Sequence, residues 1–450
     1  MNTIIQKLKD IWSISELRDR IIYTIMLLAA YRLGTYILLP GIEPDKIMNL
    51  QNSGGQSNSL LGILNAFTGG AFSKMSIFAL GIMPYISASI IVQLLGFAFP
   101  YFTKLQQEGE SGTKKLNQIT RALTVVVTLL QSSAYLTYQM NMYNLQPSVS
   151  TFLFTVTSAA ILTAGTLFCM WLGERITDRG LGNGTSLLIM IGIVANFPAA
   201  ILSELDLRLS GAGGGLVMFV LELAFFVLVC LGTIALVQAV RRIPLQYARS
   251  MMQRGKVVTD EGDHNYLPIK VNTPGVMPII FAQALMFVPG ALASLVTTNT
   301  TGLLASLNDY RSIPYNLLYF TLIFVFTYVY TALVVNPQQY AESLARQNAF
   351  IPGVKPGADT AEFIDLVTTR ITFPGAIMLG LIAILPSLAT LLGVGPTFSM
   401  FFGGTSLIIM VGVILDTLAQ VNNYLLENKY DGLIKGGQLK GRTELEGSQV

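Results

Sequence analysis

Histidine is almost missing from this chain, and charge is scarce. His264 is the one histidine in 450 residues, and Cys169 and Cys230 are the only cysteines. Both cysteines sit in apolar stretches, so neither a disulfide framework nor a zinc cluster is on offer, and the sequence calls for no metal and no cofactor. A single histidine nearly excludes histidine-metal and histidine-base chemistry. No G-x-x-x-x-G-K-S/T loop occurs, so ATP hydrolysis by that route is excluded and energy must come from a partner. The lack of H-E-x-x-H and G-x-S-x-G argues against a zincin-type membrane protease or an α/β-hydrolase, which leaves no catalytic residues to name. Charged residues make up 12%, against roughly 25% in soluble proteins. With 52% hydrophobic residues and a mean hydropathy of +0.57, the solvent of this fold is lipid.

What fills the chain is apolar runs, at 21–39, 77–98, 119–140, 152–173, 182–202, 216–240, 275–297, 315–336, 372–393 and 397–418. Each is long enough to cross a bilayer as a helix, and β-barrel strands would alternate instead. The expected fold is an all-α polytopic membrane protein with ten transmembrane helices. The first run lacks a small-residue cleavage site and reads as a retained span. Of the 28 Lys and Arg residues, 23 fall on the N-terminal segment and alternate loops with the C-terminal tail, and four on the opposite loops. The positive-inside rule then places both termini in the cytoplasm.

The sequence also repeats itself. GTSLLIMIGIV (184–194) and GTSLIIMVGVI (404–414) agree at seven of eleven positions, in the fifth and tenth runs. GIMPYISA (81–88) in the second run matches GVMPIIFA (275–282) in the seventh at Gly, Met, Pro, Ile and Ala. Five spans per half, an odd number, turn the second copy over in the membrane, so the halves are inverted repeats with the functional pathway between them. Gly, Ser and Thr here also permit close helix contact, their usual role in membranes. The matched positions pair Ile86 with Ile280, Ile189 with Ile409 and Thr185 with Thr405. The chain thus divides into four segments: an N-terminal half at 1–205, a sixth helix with a basic loop at 206–273, the rest of the C-terminal half at 274–425, and a tail at 426–450.

Ion-coupled carriers need ionisable groups within the membrane. Only Arg32 and Glu222 lie well inside the apolar runs, with Asp416 near an end, and none is in the repeated motifs. Arg32 and Glu222 either pair with each other, snorkel or serve a subunit contact. An apolar constriction gates by excluding water, which suits a wide passive pore better than a five-plus-five secondary transporter.

Six strings in order, SIFALGIMPYISASIIVQLL (76–95), EGESGTKK (108–115), WLGERITDRGLGNGTSL (171–187), LPIKVN (267–272), NAFIPGVKPG (348–357) and FGGTSLIIMVGVILDTLAQV (402–421), closely resemble the SecY family, the large channel subunit of the Sec protein translocon. The resemblance covers almost the whole chain. It implies an hourglass channel that passes unfolded secretory polypeptides across a bacterial-type inner membrane and releases hydrophobic segments sideways into lipid. A membrane insertase or scaffold without a through-pore is the competing reading.

Carried over by position, the resemblance implies a waist of Ile82, Ile86, Thr185, Ile189, Ile280 and Ile409. Thr185 departs from the mostly isoleucine pattern and puts a hydroxyl where a dry seal is needed. The resemblance makes segment 60–75 a plug, with Leu60, Phe67 and Phe72 apolar and Gly69-Gly70 able to break a helix and turn the chain; an amphipathic surface loop is the alternative on sequence alone. Ser87, Gln93 and Gln131 on one leaf of a lateral gate, and Gln283 on the other, either bond across the seam or are satisfied within their own bundles. Arg249, Arg254 and Lys256 sit near a loop tip where ribosomal RNA or an acidic motor surface can dock, or else serve topology alone. Lys355, in the IPGVKPG double turn, stands where the family usually has Arg and lacks the planar fork of that residue. The implied partners are SecE-like and SecG-like small subunits, the SecA motor ATPase, the ribosome, preproteins with signal sequences, and lipid.

Overall fold

A computed structural model describes residues 11–41, 65, 67–143, 150–210, 215–247, 251–253, 256–258, 266–283, 285–286 and 311–435. Its elements are α1 (Ser15–Gly34), α2 (Met83–Ala98), α3 (Pro100–Gln107), α4 (Glu110–Tyr143), α5 (Thr151–Arg179), α6 (Gly184–Leu209), α7 (Gly215–Gln238), β1 (Val240–Pro244), β2 (Gln246–Tyr247), β3 (Met251–Gln253), β4 (Lys256–Val258), β5 (Tyr266–Lys270), α8 (Ile313–Val334), α9 (Pro337–Arg346), β6 (Ala349–Phe350), α10 (Ala358–Leu391), α11 (Pro396–Ser399) and α12 (Gly404–Lys435). A further helix starts at Met277 and carries the start of the seventh span, whose later residues lie outside the described set. Among the described residues seven helices are long and apolar enough to cross a membrane, and α2 with α3 makes an eighth as a bent pair. The chain is an all-α multi-pass membrane protein.

Helix ends differ from the apolar runs for identifiable reasons. α1 starts at Ser15, ahead of the apolar run, because Glu16 and Arg20 pair one turn apart at 3.0 Å and helix-competent polar residues extend it. It ends at Gly34 instead of running on to Leu39. Beyond it the chain bridges Leu38 to Ser76, with Leu39 N–H donating to Met75 O (3.0 Å) and Ile77 N–H to Ile37 O (2.9 Å). The second span begins at Met83, later than the apolar run suggests, because residues 77–82 are turns and Gly81 has φ +53°. Gly275 in the matched motif has φ +64°, and its helix also opens two residues later with a proline following. Both copies of the Gly-x-Met-Pro string thus make the same local turn, as a left-handed glycine followed by an N-terminal proline dictates. α4 and α10 each hold 34 residues, about 51 Å at 1.5 Å per residue and well beyond a hydrocarbon core of about 30 Å.

The described chain forms two compact units, one of residues up to Asn196 together with those from Val413 on, the other running from Phe197 to Gly412. In the first, Leu17 of α1 packs with Leu181 and Val421 of α12. Thr24 Oγ1 accepts from Leu181 N–H (3.0 Å), and Arg121 of α4 grips Glu174 of α5 through two nitrogens at 2.7 and 3.1 Å. In the second, Leu236, Ile279, Tyr315, Tyr319, Ile323, Leu379 and Ile408 share one core. Outward faces stay apolar, with Val217, Leu221 and Leu228 of α7 exposed, as lipid as solvent requires.

Candidate functional site

Two waist candidates of the first unit, Ile82 and Thr185, meet at Gly173 of α5. A Cβ there would stand 3.2 Å from Thr185 Cγ2 and 3.5 Å from Ile82 Cδ1. Ile82 and Ile189 are buried, while Ile86 and Thr185 are half-buried. Asn183 caps α6: its Oδ1 accepts from Thr185 N–H (3.1 Å), Ser186 N–H (3.4 Å) and the Thr185 hydroxyl (2.7 Å). The threonine therefore spends its polar group on the helix cap and leaves its methyl on the Gly173 side. In the second unit Ile409 of α12 is buried and Ile280 is half-buried in the helix that starts at Met277.

Leu60 lies outside the described residues, but the rest of the plug candidate is placed. Phe67, Gly69, Gly70 and Phe72 are all buried. The segment is helical at Phe67 and runs as turns from Thr68 onward, with Gly69 at φ +65° and Gly70 at φ +87° ending the helix. Three side chains from outside hold it through its main chain. Arg32 Nη1 of α1 donates to Gly69 O (2.9 Å), and Tyr135 Oη (2.7 Å) and Gln139 Nε2 (3.1 Å) of α4 both donate to Phe72 O. The Phe72 and Tyr135 rings meet edge to face at 4.7 Å. Gly192 of α6 lies so close that a Cβ on it would collide with Phe67 O. Inside the segment, Asn65 Oδ1 accepts from Ser73 N–H (3.0 Å) and Thr68 Oγ1 from Phe72 N–H (3.1 Å).

Of the residues expected at a lateral gate, Ser87 and Gln93 bond within their own helix. Ser87 donates to Met83 O (3.1 Å) and Gln93 to Ser89 Oγ (3.3 Å), both within α2. Gln131 is half-buried on α4, and Gln283 is buried in the helix from Met277.

The two basic loops form one folded piece. Strand β1 pairs with β5 antiparallel from Val240↔Lys270 to Pro244↔Tyr266, and β2 pairs with β6, Gln246↔Phe350 and Tyr247↔Ala349. This second pairing joins loop 241–274 to loop 337–371 over a core of Ile243, Leu344, Ala349, Ile351 and Ile364. Lys355 is exposed above that core, and its carbonyl accepts from Thr360 Oγ1 (2.8 Å). Lys256 opposes Gln253 in the β3–β4 pair, whereas Arg249 and Arg254 lie outside the described residues.

Arg32 and Glu222 each have a partner within their own unit, Arg32 in Gly69 O and Glu222 in Arg208. Glu222 of α7 pairs with Arg208 of α6, which also binds Glu204 Oε1 through Nε at 3.1 Å. The apolar pattern ends the fifth span at residue 202 and makes Arg208 a loop charge. α6 instead runs to Leu209 and buries Glu204 and Arg208. Their i,i+4 spacing, and a glutamate stranded in the apolar α7, were the available signals. Tyr135, Gln139 and Gly192 offered none, since their contacts join segments far apart in sequence.

Comparison with known proteins agrees with this architecture. The SecY family model matches residues 76–418. A protein translocase subunit SecY of Chlamydia trachomatis is 38% identical over 456 residues, 97% of this chain and 99% of that one. Among solved structures, one of a protein-conducting channel has a TM-score of 0.64 at 14% identity, covering 90% of this chain and 91% of the other. Another, concerned with how the SecY plug domain stabilises the closed state and maintains a membrane seal, has a TM-score of 0.61 at 16% identity, with the same coverage. At identities this low the structures attest the fold, while the near full-length curated relative and the family model establish the lineage: the chain belongs to the SecY family.

Proposed function

We propose that the chain is the channel subunit of a plasma-membrane protein translocase, conducting unfolded polypeptides and releasing hydrophobic segments into lipid. The observation that carries this reading is the 38% identity to a translocase subunit over 97% of the chain. SecY is a channel family, and ATPase activity falls to a partner. Ile82, Ile86, Thr185, Ile189, Ile280 and Ile409 form the waist in this reading, and the capped hydroxyl of Thr185 supports it by leaving hydrocarbon at all six positions. Segment 60–75 is the plug in this reading, supported by the burial of Phe67, Gly69, Gly70 and Phe72 and by three side-chain donors to its main chain.

Ser87, Gln93, Gln131 and Gln283 flank the lateral exit, where amides satisfied within one helix let two leaves part at low cost. Both termini and the basic loops are cytoplasmic, so Lys256 and Lys355, with Arg249 and Arg254, meet the SecA motor or the ribosome. SecE-like and SecG-like subunits complete the assembly. The test is a cysteine at Ile280, in chain reconstituted with its small subunits, a motor ATPase and a preprotein with a bulky C-terminal block. A cross-link to the stalled preprotein that needs ATP and an intact signal is expected. Cross-links at lipid-facing positions alone would favour an insertase without a through-pore.

A further inference from the structure

Three charged side chains lie together inside the second unit, and the channel reading leaves them without a task. Glu204 and Glu222 are each 2% exposed and Arg208 is 5% exposed. Arg208 joins both carboxylates and also donates through Nη2 to Gly393 O (2.7 Å), while Glu204 Oε2 accepts from Gly395 N–H (3.0 Å). The Gly393-Val394-Gly395 turn is thus held at two main-chain atoms, a carbonyl by the guanidinium and an amide by a carboxylate. Gly393 sits at φ +91°, and a Cβ on Gly395 would fall on the Glu204 carboxylate, so both positions of the turn favour glycine.

The chain beyond the turn is equally fixed. α11 starts at Pro396, and Phe398, Phe401 and Phe402 enter a nest with Phe197 of α6 and Phe225 and Phe226 of α7, ring centres 5.1–6.0 Å apart. α12 then begins at Gly404, carrying Ile409 in its second turn. A buried ion cluster of this kind is a poor source of stability, because apolar residues of like volume usually do as well. Its distinctive yield is geometry, since a guanidinium fork fixes the direction of its acceptors.

We propose that Glu204, Arg208 and Glu222 are positioning residues: together they anchor the turn between the ninth and tenth spans and thereby set the start of α12 and the place of Ile409 in the closed channel. The inference rests on the reading of Ile409 as a waist residue. The experiment uses the channel reconstituted with its small subunits and compares wild type, the Glu204→Met/Arg208→Met/Glu222→Leu triple variant and Arg208→Lys. Spin labels at Ser203→Cys and Thr397→Cys, both exposed, report the distance from α6 to α11, and planar bilayers report resting conductance.

The triple variant leaves no charge unpaired and is expected to keep the wild-type Tm. Its label distances should broaden and its resting conductance should rise about tenfold, the factor that a shift of about 1.4 kcal/mol gives a two-state gate. Wild-type distances and conductance in the triple variant would show a purely stabilising role and overturn the proposal. Should the triple variant fail to fold, Arg208→Lys decides: it keeps the charge without the fork, so broadened distances support the anchor and wild-type distances refute it. Ile409→Asn runs in parallel. Leak from Ile409→Asn beside a silent triple variant overturns the anchor alone. A silent Ile409→Asn overturns the pore reading, and the label distances still decide the anchor.

Discussion

Removing two of the three donors that hold Gly69 and Phe72 should unseat their segment without touching the segment itself. Tyr135→Phe keeps the ring that meets Phe72 at 4.7 Å and deletes only the hydroxyl on Phe72 O, which Gln139 still contacts at 3.1 Å. A neutral hydrogen bond of this type contributes about 0.5–1.5 kcal/mol. Arg32→Met deletes the charged donor to Gly69 O, for which about 1.5–3 kcal/mol is the usual range. The pair should therefore weaken closure by about 2 kcal/mol or more, raising the open fraction roughly thirtyfold, since each 1.4 kcal/mol is tenfold. Single-channel recording of the reconstituted complex without preprotein counts the openings. The two single variants complete a cycle, and coupling between them is expected because both donors hold one short segment. Wild-type opening frequency in the double variant, on a membrane where Ile86→Asn with Ile409→Asn does leak, would refute the idea that these donors keep the segment closed.

The same geometry carries three more expected outcomes. Gly192→Ala should raise resting conductance, because its Cβ meets the backbone oxygen of Phe67, whereas the repeat-related Gly412→Ala meets only a Val276 methyl at 3.1 Å and should be silent; equal behaviour in planar bilayers would contradict this. Asn183→Ala frees the Thr185 hydroxyl and removes a helix cap, which costs about 0.5–2 kcal/mol and should increase leak, while Thr185→Val, which keeps the methyl, should seal like wild type. Ile364→Ala empties the core beneath the joined loops, with an expected loss of about 2–5 kcal/mol locally; faster amide exchange at Tyr247 and Ala349 is the readout, and unchanged exchange would show that the core does not support the β2–β6 pairing.

Much of this architecture is legible in the residues because lipid imposes a simple code. Apolar runs give the spans, and both copies of the Gly-x-Met-Pro motif make the same local turn, seen in the matched glycines at 81 and 275. Helix ends are less legible, since hydropathy measures where lipid is tolerated, whereas α1 and α6 end where side chains find partners. The local partner of Thr185 is hidden for a similar reason: its hydroxyl has a taker two residues away, in Asn183, which the apolar pattern does not register. Least legible are contacts between distant segments. Nothing in the string around Tyr135 or Gln139 announces Phe72, and nothing in loop 241–274 announces residues 349–350, because short main-chain pairings carry almost no side-chain signature.

The β2–β6 pairing also sets a timetable for the newborn chain. Residues 246–247 leave the ribosome well before residues 349–350, and the seventh and eighth spans must be made in between. Because segments fold in the order in which they are synthesised, the basic loop after α7 waits, with Ile243 uncovered, until Leu344, Ala349 and Ile364 arrive to close the core. A half-made chain therefore lacks this folded piece, which closes only after most of the membrane helices already exist.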